Sequence, residues 1–477
     1  MSKAYSWASR LTLGLAVLAA SVLSTNEAHA GGLYLFDRGA RALGRGGAFV
    51  AGVDDPSALW YNPAGLLASK NQLVADAVLP VLLADFTKMN GDGSYGPTVT
   101  AKPTPIPIPT LAISHLVGKK LAWGAGILAP MVVLMNWEQS VGKDRQPSPT
   151  RYSLLELKGT VLANVTAGFA YQALDWLTIG ADLQFQMGYL RAKTALTGCD
   201  GVICNFPEEP TSDFYATVKT FPTYGLTGVI GAIADFKILK FGASVMLPYT
   251  LRGRGWIDVK MPTSALFEDA YLDGDKVKIN VKFPTILRFG SELKLVKWLA
   301  LEGDFVWEQW SRQKSIDIKT DGVRVRDVTG IGDYDVGDVK IERKMKNVWS
   351  LRGGFEASCA RSICGKLDFQ LRGGLAYETG AFTSQTLQPF TIDTNKVVLS
   401  GGFTIGLAKW LRFDTVAGLI FMQNLDVKDS TIRQPQAIRP PNSELVSVIG
   451  NGRYEQTAFF LGGGFRAMTD MKTAYKK

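Results

Sequence analysis

The chain has 477 residues, of which 46% are apolar and 20% charged, with a formal net charge of +9 at neutral pH. Aromatic residues make up 10% of it and the charge is moderate, which excludes a disordered chain. Its 50 Gly and 21 Pro follow no collagen period. Beyond residue 30 no run approaches the ~18 consecutive apolar residues that a membrane-spanning helix needs.

Lys3 and Arg10 precede an apolar run from Leu11 to Ser24, and Ala28-His29-Ala30 follows. A basic start, an apolar stretch of this length and a small-x-small site mark a secretory signal peptide, so residues 1–30 are expected to be removed. Export also suits the cysteines. Cys199/Cys204 and Cys359/Cys364 share one spacing and are expected to form two short disulfides. A metal site is not expected, because zinc would need four ligands gathered together and the two pairs fall at opposite ends of the strand map below.

Residues 31–69 are rich in Gly and Ala and show no period-two alternation. Asp54-Asp55-Pro56-Ser57 reads as a helix start, with an acidic cap and Pro in the first turn. Asn62-Pro63 then forces an extended or turn conformation before the proline. An apolar segment ahead of a run of strands needs cover, and folding back into a barrel as a plug supplies it. The expected divisions are thus a leader at 1–30, a hatch at 31–69 and a barrel at 70–477.

From residue 70 onward hydrophobicity alternates with period two, the mark of strands with unlike faces. Leu157, Val161, Ala163, Val165, Ala167, Phe169 and Tyr171 fall on one face, and Lys158, Thr160, Asn164 and Thr166 on the other. Fourteen such segments are expected, near 70–86, 107–117, 120–132, 155–172, 176–196, 214–236, 239–260, 276–296, 298–319, 344–358, 365–380, 394–408, 410–427 and 454–467. Short turns alternate strictly with long connections. An even strand count with that alternation is the signature of a bacterial outer-membrane barrel. Three short turns end in Trp176, Trp298 and Trp410, as an aromatic girdle at the periplasmic interface would. The segments are too long for a soluble sandwich, whose strands average about five or six residues. The fold class expected is a 14-stranded antiparallel transmembrane β-barrel plugged by a small N-terminal hatch. Charges of both signs on the polar faces, among them Glu302, Asp304, Glu308, Arg352, Glu356, Asp368 and Arg372, are expected to pair across a wet lumen.

Three stretches in the N-terminal segment carry a family resemblance: Ala42-Leu43-Gly44-Arg45-Gly46-Gly47-Ala48, Asp54-Asp55-Pro56-Ser57-Ala58 and Asn62-Pro63-Ala64-Gly65. Together they resemble the hatch of the FadL-type outer-membrane transporters of long-chain fatty acids and hydrocarbons. Gly124-Ala125-Gly126 with Pro130 looks like that family's third strand, Phe283-Pro284-Thr285 with Arg288-Phe289-Gly290 its eighth, and Trp310-Ser311 the end of its ninth. The resemblance implies passive uptake of a hydrophobic compound. The substrate is collected in an outer groove, held in an interior pocket and released sideways through an opening at an inward kink of the third strand. Gly124, Gly126 and Pro130 supply the missing side chain and missing donor that a kink needs.

The resemblance places the groove in the outer loops near 197–213 and 261–275. The second carries Leu266, Phe267, Ala270 and Tyr271 at helical spacing, and the first offers Val202, Ile203 and Phe206. Leu33, Tyr34 and Phe36 near the processed N-terminus are expected to reach the interior pocket. A carboxylate head group would need lumen cations. By parity these are Lys158, Arg252, Arg254, Lys278, Arg288, Arg352 and Arg372, most of them expected to serve lumen carboxylates. Long-chain fatty acid is the first expectation for the substrate, and uncharged aromatic or alkane hydrocarbon the second.

Other classes fit less well. An outer-membrane lipid-modifying enzyme of the serine type needs a His base, and after processing only His115 remains, on a lipid-facing register beside a turn. No catalytic residue or cofactor is expected. A general porin would have no apolar plug. The basic residues are scattered, which argues against nucleic acid and suits lipopolysaccharide phosphates. The chain is expected to be a monomer. Unlike many such barrels it does not finish on an aromatic, since the last alternating run, Phe459-Leu461-Phe465, is followed by a tail to Lys477.

Overall fold

The computed structural model describes residues 37–468 except 130–134, 158–159, 200–203, 205, 360–367, 391 and 438–445. The leader at 1–30, the pocket candidates Leu33, Tyr34 and Phe36, and Pro130, Lys158, Cys364 and the tail after residue 468 lie outside the described residues. Among the described residues no helix is long and apolar enough to cross a membrane.

Fourteen antiparallel strands close into a barrel. In chain order they are Gln72–Met89, Ile108–Val117, Leu121–Leu128, Val161–Leu174 and Leu177–Thr197, then four strands each built in two pieces. These four are Asp213–Thr227 with Val229–Asp235, Leu239–Met246 with Tyr249–Lys260, Lys276–Phe283 with Ile286–Val296, and Leu299–Glu308 with Ser315–Asp321. Val348–Ser358, Phe369–Glu378, Lys396–Ala408, Leu411–Met422 and Gly452–Met468 complete the wall. Closure is made by the first and fourteenth strands, which pair continuously from Gln72 opposite Met468 to Lys88 opposite Gly452. Among the described residues no sheet edge is left to face lipid, the condition for strands to span a bilayer.

The alternation read from the sequence is realised around the wall. Leu111, Ile113, Val165, Phe169, Leu183, Phe289, Leu399 and Leu461 point outward, while Asn164, Thr166, Gln184, Gln186 and Thr404 are buried inside. Trp176, Trp298 and Trp410 are exposed at the short-turn end, where Trp176 stacks with Phe236 at 5.7 Å. Outward apolar residues on a barrel are satisfied by lipid, so this exposure is the signature of the membrane face. His115 is outward as well, 5.9 Å from Trp123.

Parity fails once in each of three adjacent strands. Buried Thr220 and Thr223, buried Met246 and Tyr249, and buried Phe283 and Ile286 each stand three apart rather than two. Phe221-Pro222, Leu247-Pro248 and Pro284-Thr285 lie between them. Proline cannot donate to the ladder, and a one-residue slip sends every later side chain to the opposite face. Arg252, Arg254 and Lys278, expected in the lumen, therefore face outward and are exposed.

The long connections also depart from plain surface loops. The chain from 379 to 395 folds inward, burying Ala381, Phe382, Leu387, Phe390 and Ile392. It meets the connection after the third strand, where Trp137 Nε1 donates to Pro389 O at 3.1 Å.

Candidate functional site

The hatch occupies the lower lumen. From Asp37 to Leu66 every residue except Asp54 is buried. Its pieces are short, with helices Ala40–Leu43, Ala58–Tyr61 and Leu66–Ser69 and a 3-10 turn Pro63–Gly65. Segments this short have little helical stability of their own, so the barrel must hold them. The helix expected at Asp54-Asp55-Pro56-Ser57 starts at Ala58 with Ser57, not an acid, at its cap, and Asp55 Oδ1 accepts from Ser57 N at 3.0 Å in the turn before it.

Charge does much of the holding. Arg41 donates to both oxygens of Glu356 at 2.9 and 2.8 Å and pairs with Asp54. Arg45 donates to Glu302 at 2.6 Å and Glu292 at 3.4 Å. Phe49 N and Val50 N donate to Asp304 at 2.7 and 3.1 Å, and Ala51 N and Gly52 N to Glu302 at 2.7 and 3.0 Å. Arg352 pairs with Asp37, and Arg372 lies 3.3 Å from Asp414. A dry charge is tolerated only when paired and hydrogen-bonded, and here the partners come from wall and hatch together. Two cations that parity placed in the lumen, Arg352 and Arg372, thus sit in the hatch-binding network. Arg288 is buried too, over the Trp60 ring at 5.0 Å, with its Nη1 bonded to nothing among the described residues. The sequence reading missed Arg41, Arg45 and Glu292, since a charge in a non-alternating segment has no parity to reveal its partner.

The Asn62-Pro63-Ala64 turn bolts the hatch to the wall. Asn62 is fully buried, and its Nδ2 donates to Val50 O at 3.1 Å and to Ala232 O of the sixth strand at 3.0 Å, while its Oδ1 accepts from Ala64 N at 3.2 Å. Two wall glycines make room. A Cβ on Gly231 would meet Asn62 Oδ1 at 2.1 Å, and one on Gly180 would meet Ala64 N at 2.5 Å. Asn62→Ala leaves two buried carbonyls without their donor, an expected cost of about 1–3 kcal/mol. The barrel should still assemble, with lowered uptake of hydrophobic substrate by cells carrying matched amounts of it. Undiminished uptake by well-assembled variant barrels would refute the role.

At the third strand the wall is thin in side chains. Gly124 lies against the hatch, where a Cβ would meet Leu66 Cδ2 at 2.6 Å, and one on Gly126 would meet Leu111 O at 2.6 Å. Pairing on both sides runs unbroken from Leu121 to Leu128. Outside this strand lies an apolar recess of about 620 Å³, lined by Leu111, Ile113, Ile127, Val165, Leu183 and Phe185.

Above the hatch, at the mouth, lies a recess of about 280 Å³ lined by Leu196, Val218, Ile257, Ile318 and Ile341 together with the polar Lys340, Glu342, Gln388 and Arg433. The residue after Glu342 is Arg343, which is fully buried. Its guanidinium lies 4.7 Å from the ring centres of both Phe382 and Phe390. None of its Nε, Nη1 and Nη2 has a hydrogen-bond partner among the described residues. Burial draws its pKa down to about 9, with Asp393 pulling the other way, so the cation persists at neutral pH. Buried guanidinium groups are ordinarily saturated with acceptors; one held between two rings with its donors unbonded among the described residues is arranged for an anion.

The groove candidates separate. Phe267 is buried against Phe214 at 5.1 Å, Leu266 is half-buried, and Phe206 and Tyr271 are exposed. The helical spacing expected for this loop is not followed. Ala265–Phe267 is a single 3-10 turn and Tyr271–Asp273 a strand paired with Arg324–Val328. Ser264 N donates to Thr211 O at 2.9 Å, so the two loops pack together. Cys199 and Cys204 form a disulfide, and Cys359 is disulfide-bonded.

Solved structures share this architecture. A Pseudomonas aeruginosa FadL homologue is 16% identical over 92% of this chain and 100% of its own, with a TM-score of 0.71. The Pseudomonas putida toluene transporter TodX is 16% identical over 92% and 100%, with a TM-score of 0.62. The Ralstonia pickettii toluene transporter TbuX is 16% identical over 91% and 99%, at 0.58. No curated protein sequence matches the chain. The profile of the outer membrane protein transport protein family (OMPP1/FadL/TodX) matches residues 21–449. With a hatch-filled barrel and an apolar outer face, the chain belongs to that family, as an outer-membrane transporter of hydrophobic compounds and not an enzyme.

Proposed function

We propose that this transporter takes up long-chain fatty acids as carboxylates, by passive diffusion and as a monomer. The observation that carries the reading is the buried guanidinium of Arg343, which hydrogen-bonds to nothing among the described residues and follows Glu342 of the recess wall. An uncharged hydrocarbon gives such a cation nothing, whereas a carboxylate gives it charge-assisted hydrogen bonds that are strongest where water is excluded. On this reading Phe206, Leu266, Phe267 and Tyr271 border the outer collecting surface and Arg288 and Arg352 lie along the lumen below. Leu33, Tyr34 and Phe36 are proposed to close the pocket. Release is proposed to run sideways past Gly124, Gly126 and Pro130 into the lipid-facing recess, a route that spares the chain any passage through water. Asn62, Pro63 and Ala64 hold the hatch that forms its floor.

A second reading has its own support. A recess of about 280 Å³ is at the small end for ligand pockets and suits a single aromatic ring, and two of the structural neighbours are named as toluene transporters. Competition binding to the purified protein separates the two. Oleate should bind at least about tenfold more tightly than oleyl alcohol, the effect of one charge-assisted hydrogen bond. Equal affinity would favour the uncharged substrate.

A further inference from the structure

The parity slip in the seventh and eighth strands has an outward consequence. Above it, Arg252, Arg254, Lys276, Lys278, Lys282 and Lys319 all project from the outer face and are exposed. Arg254 stands directly opposite Lys278, and Lys278 directly opposite Lys319. Three cations in one row across three strands repel, since like charges placed opposite one another destabilise a ladder. Lys278 is 3.0 Å from Asp321, but among the described residues no acid lies within ion-pair distance of Arg252, Arg254, Lys276, Lys282 or Lys319. Partners are not scarce nearby. On the neighbouring hairpin Arg326 pairs with Asp273 and Asp333, and Arg324 with Asp335.

Height fixes what this row faces. The lower piece of the seventh strand, from Leu239 to Pro248, climbs ~23 Å at ~3.3 Å per residue and ~40° tilt, about the height of a barrel's apolar band. Outward Leu226, Leu247 and Phe289 lie in that band. The cations begin where it ends, at the level of the outer-leaflet head groups. Tyr224, opposite Arg252, and Trp256, opposite Lys276, are exposed beside them, and side chains with an apolar body and a polar tip suit such an interface.

We infer that the outward row Arg254–Lys278–Lys319, flanked by Arg252, Lys276 and Lys282, is a binding site for the phosphate groups of a phosphorylated saccharide lipid, lipopolysaccharide, in the outer leaflet. Asp321 answers only Lys278 of this row, and the phosphates supply the remaining counter-charge. The lipid is thereby fixed against the wall below the outer loops.

The test uses the full chain purified in mild detergent, with bound lipid counted by native mass spectrometry. The probes are lipid A carrying both phosphates and the same lipid dephosphorylated. The wild type should retain the phosphorylated form and not the other. The triple variant R254Q/K278Q/K319Q should bind about 100-fold more weakly, roughly fivefold per cation, while K102Q/K428Q/R453Q on the opposite wall should bind as the wild type does. In detergent free of glycolipid the first triple should unfold at a higher temperature than the wild type, because a repulsive row has been removed. Undiminished binding by that triple, equal loss from both triples, or equal binding of dephosphorylated lipid would overturn the inference.

Discussion

Replacing Arg343 with Leu is expected to cut oleate uptake by about 10- to 100-fold while leaving toluene uptake unchanged, the loss matching a charge-assisted hydrogen bond of ~1.5–3 kcal/mol. The split between substrates is the informative part. A residue needed only for packing would lower both, because a distorted recess hinders any hydrophobic guest. The variant carries a second signature. Arg343 in the free protein is a dry cation between Phe382 and Phe390 whose guanidinium has no hydrogen-bond partner among the described residues. Replacing a charge in such a place with an apolar side chain of similar volume removes a desolvation penalty. Arg343→Leu should therefore unfold at a higher temperature than the wild type, and Arg343→Lys should recover part of the oleate uptake. A variant both less stable and equally poor with oleate and toluene would show that the arginine is scaffolding.

The second large effect is expected at Glu302. Its carboxylate accepts from Ala51 N, Gly52 N and Arg45 in the dry space between wall and hatch. Glu302→Ala strands all three donors and leaves Arg45 with Glu292 at 3.4 Å. Removing one partner of a buried pair costs about 3–5 kcal/mol. Strand pairing on both sides of Glu302 involves only backbone, so the damage should fall on the hatch and not on barrel closure. Cells carrying Glu302→Ala should become permeable to a large hydrophilic antibiotic, and the hatch should become protease-sensitive while the barrel keeps its heat-modifiable mobility on gels. Glu302→Gln, which retains an acceptor for the two amides, should lie between. Unchanged permeability together with an intact, protected hatch would count against the clamp.

How far the sequence was legible follows from which interactions are local. Alternation along a strand depends on one residue and its second neighbour, so all fourteen strands could be read from the chain, and the expected 239–260 matches Leu239–Met246 with Tyr249–Lys260 closely. The orientation of Arg252 could not be read by counting alone. It depends on a slip at Leu247-Pro248, and the prolines at 222, 248 and 284 were the available warning. The hatch was visible as a segment that does not alternate, but its partners were not, because Arg45 and Glu302 are 257 residues apart. Arg343 stands at the edge of a long connection, where no alternation marks it. Its two flanking rings sit in the loop 379–395, which reads as a surface connection yet carries Phe382, Leu387, Phe390 and Ile392. That much apolar surface in one outer loop needs cover, and the lumen provides it.

An outer-membrane barrel whose mouth holds a dry guanidinium, unbonded among the described residues, should admit hydrophobic anions. Uptake of radiolabelled oleate by cells lacking their own transporter, with and without this protein at matched surface levels and with labelled toluene in parallel, tests it most directly. Oleate uptake should rise clearly, saturate and be lost in Arg343→Leu. A rise for toluene alone, from barrels shown to be assembled, would contradict it.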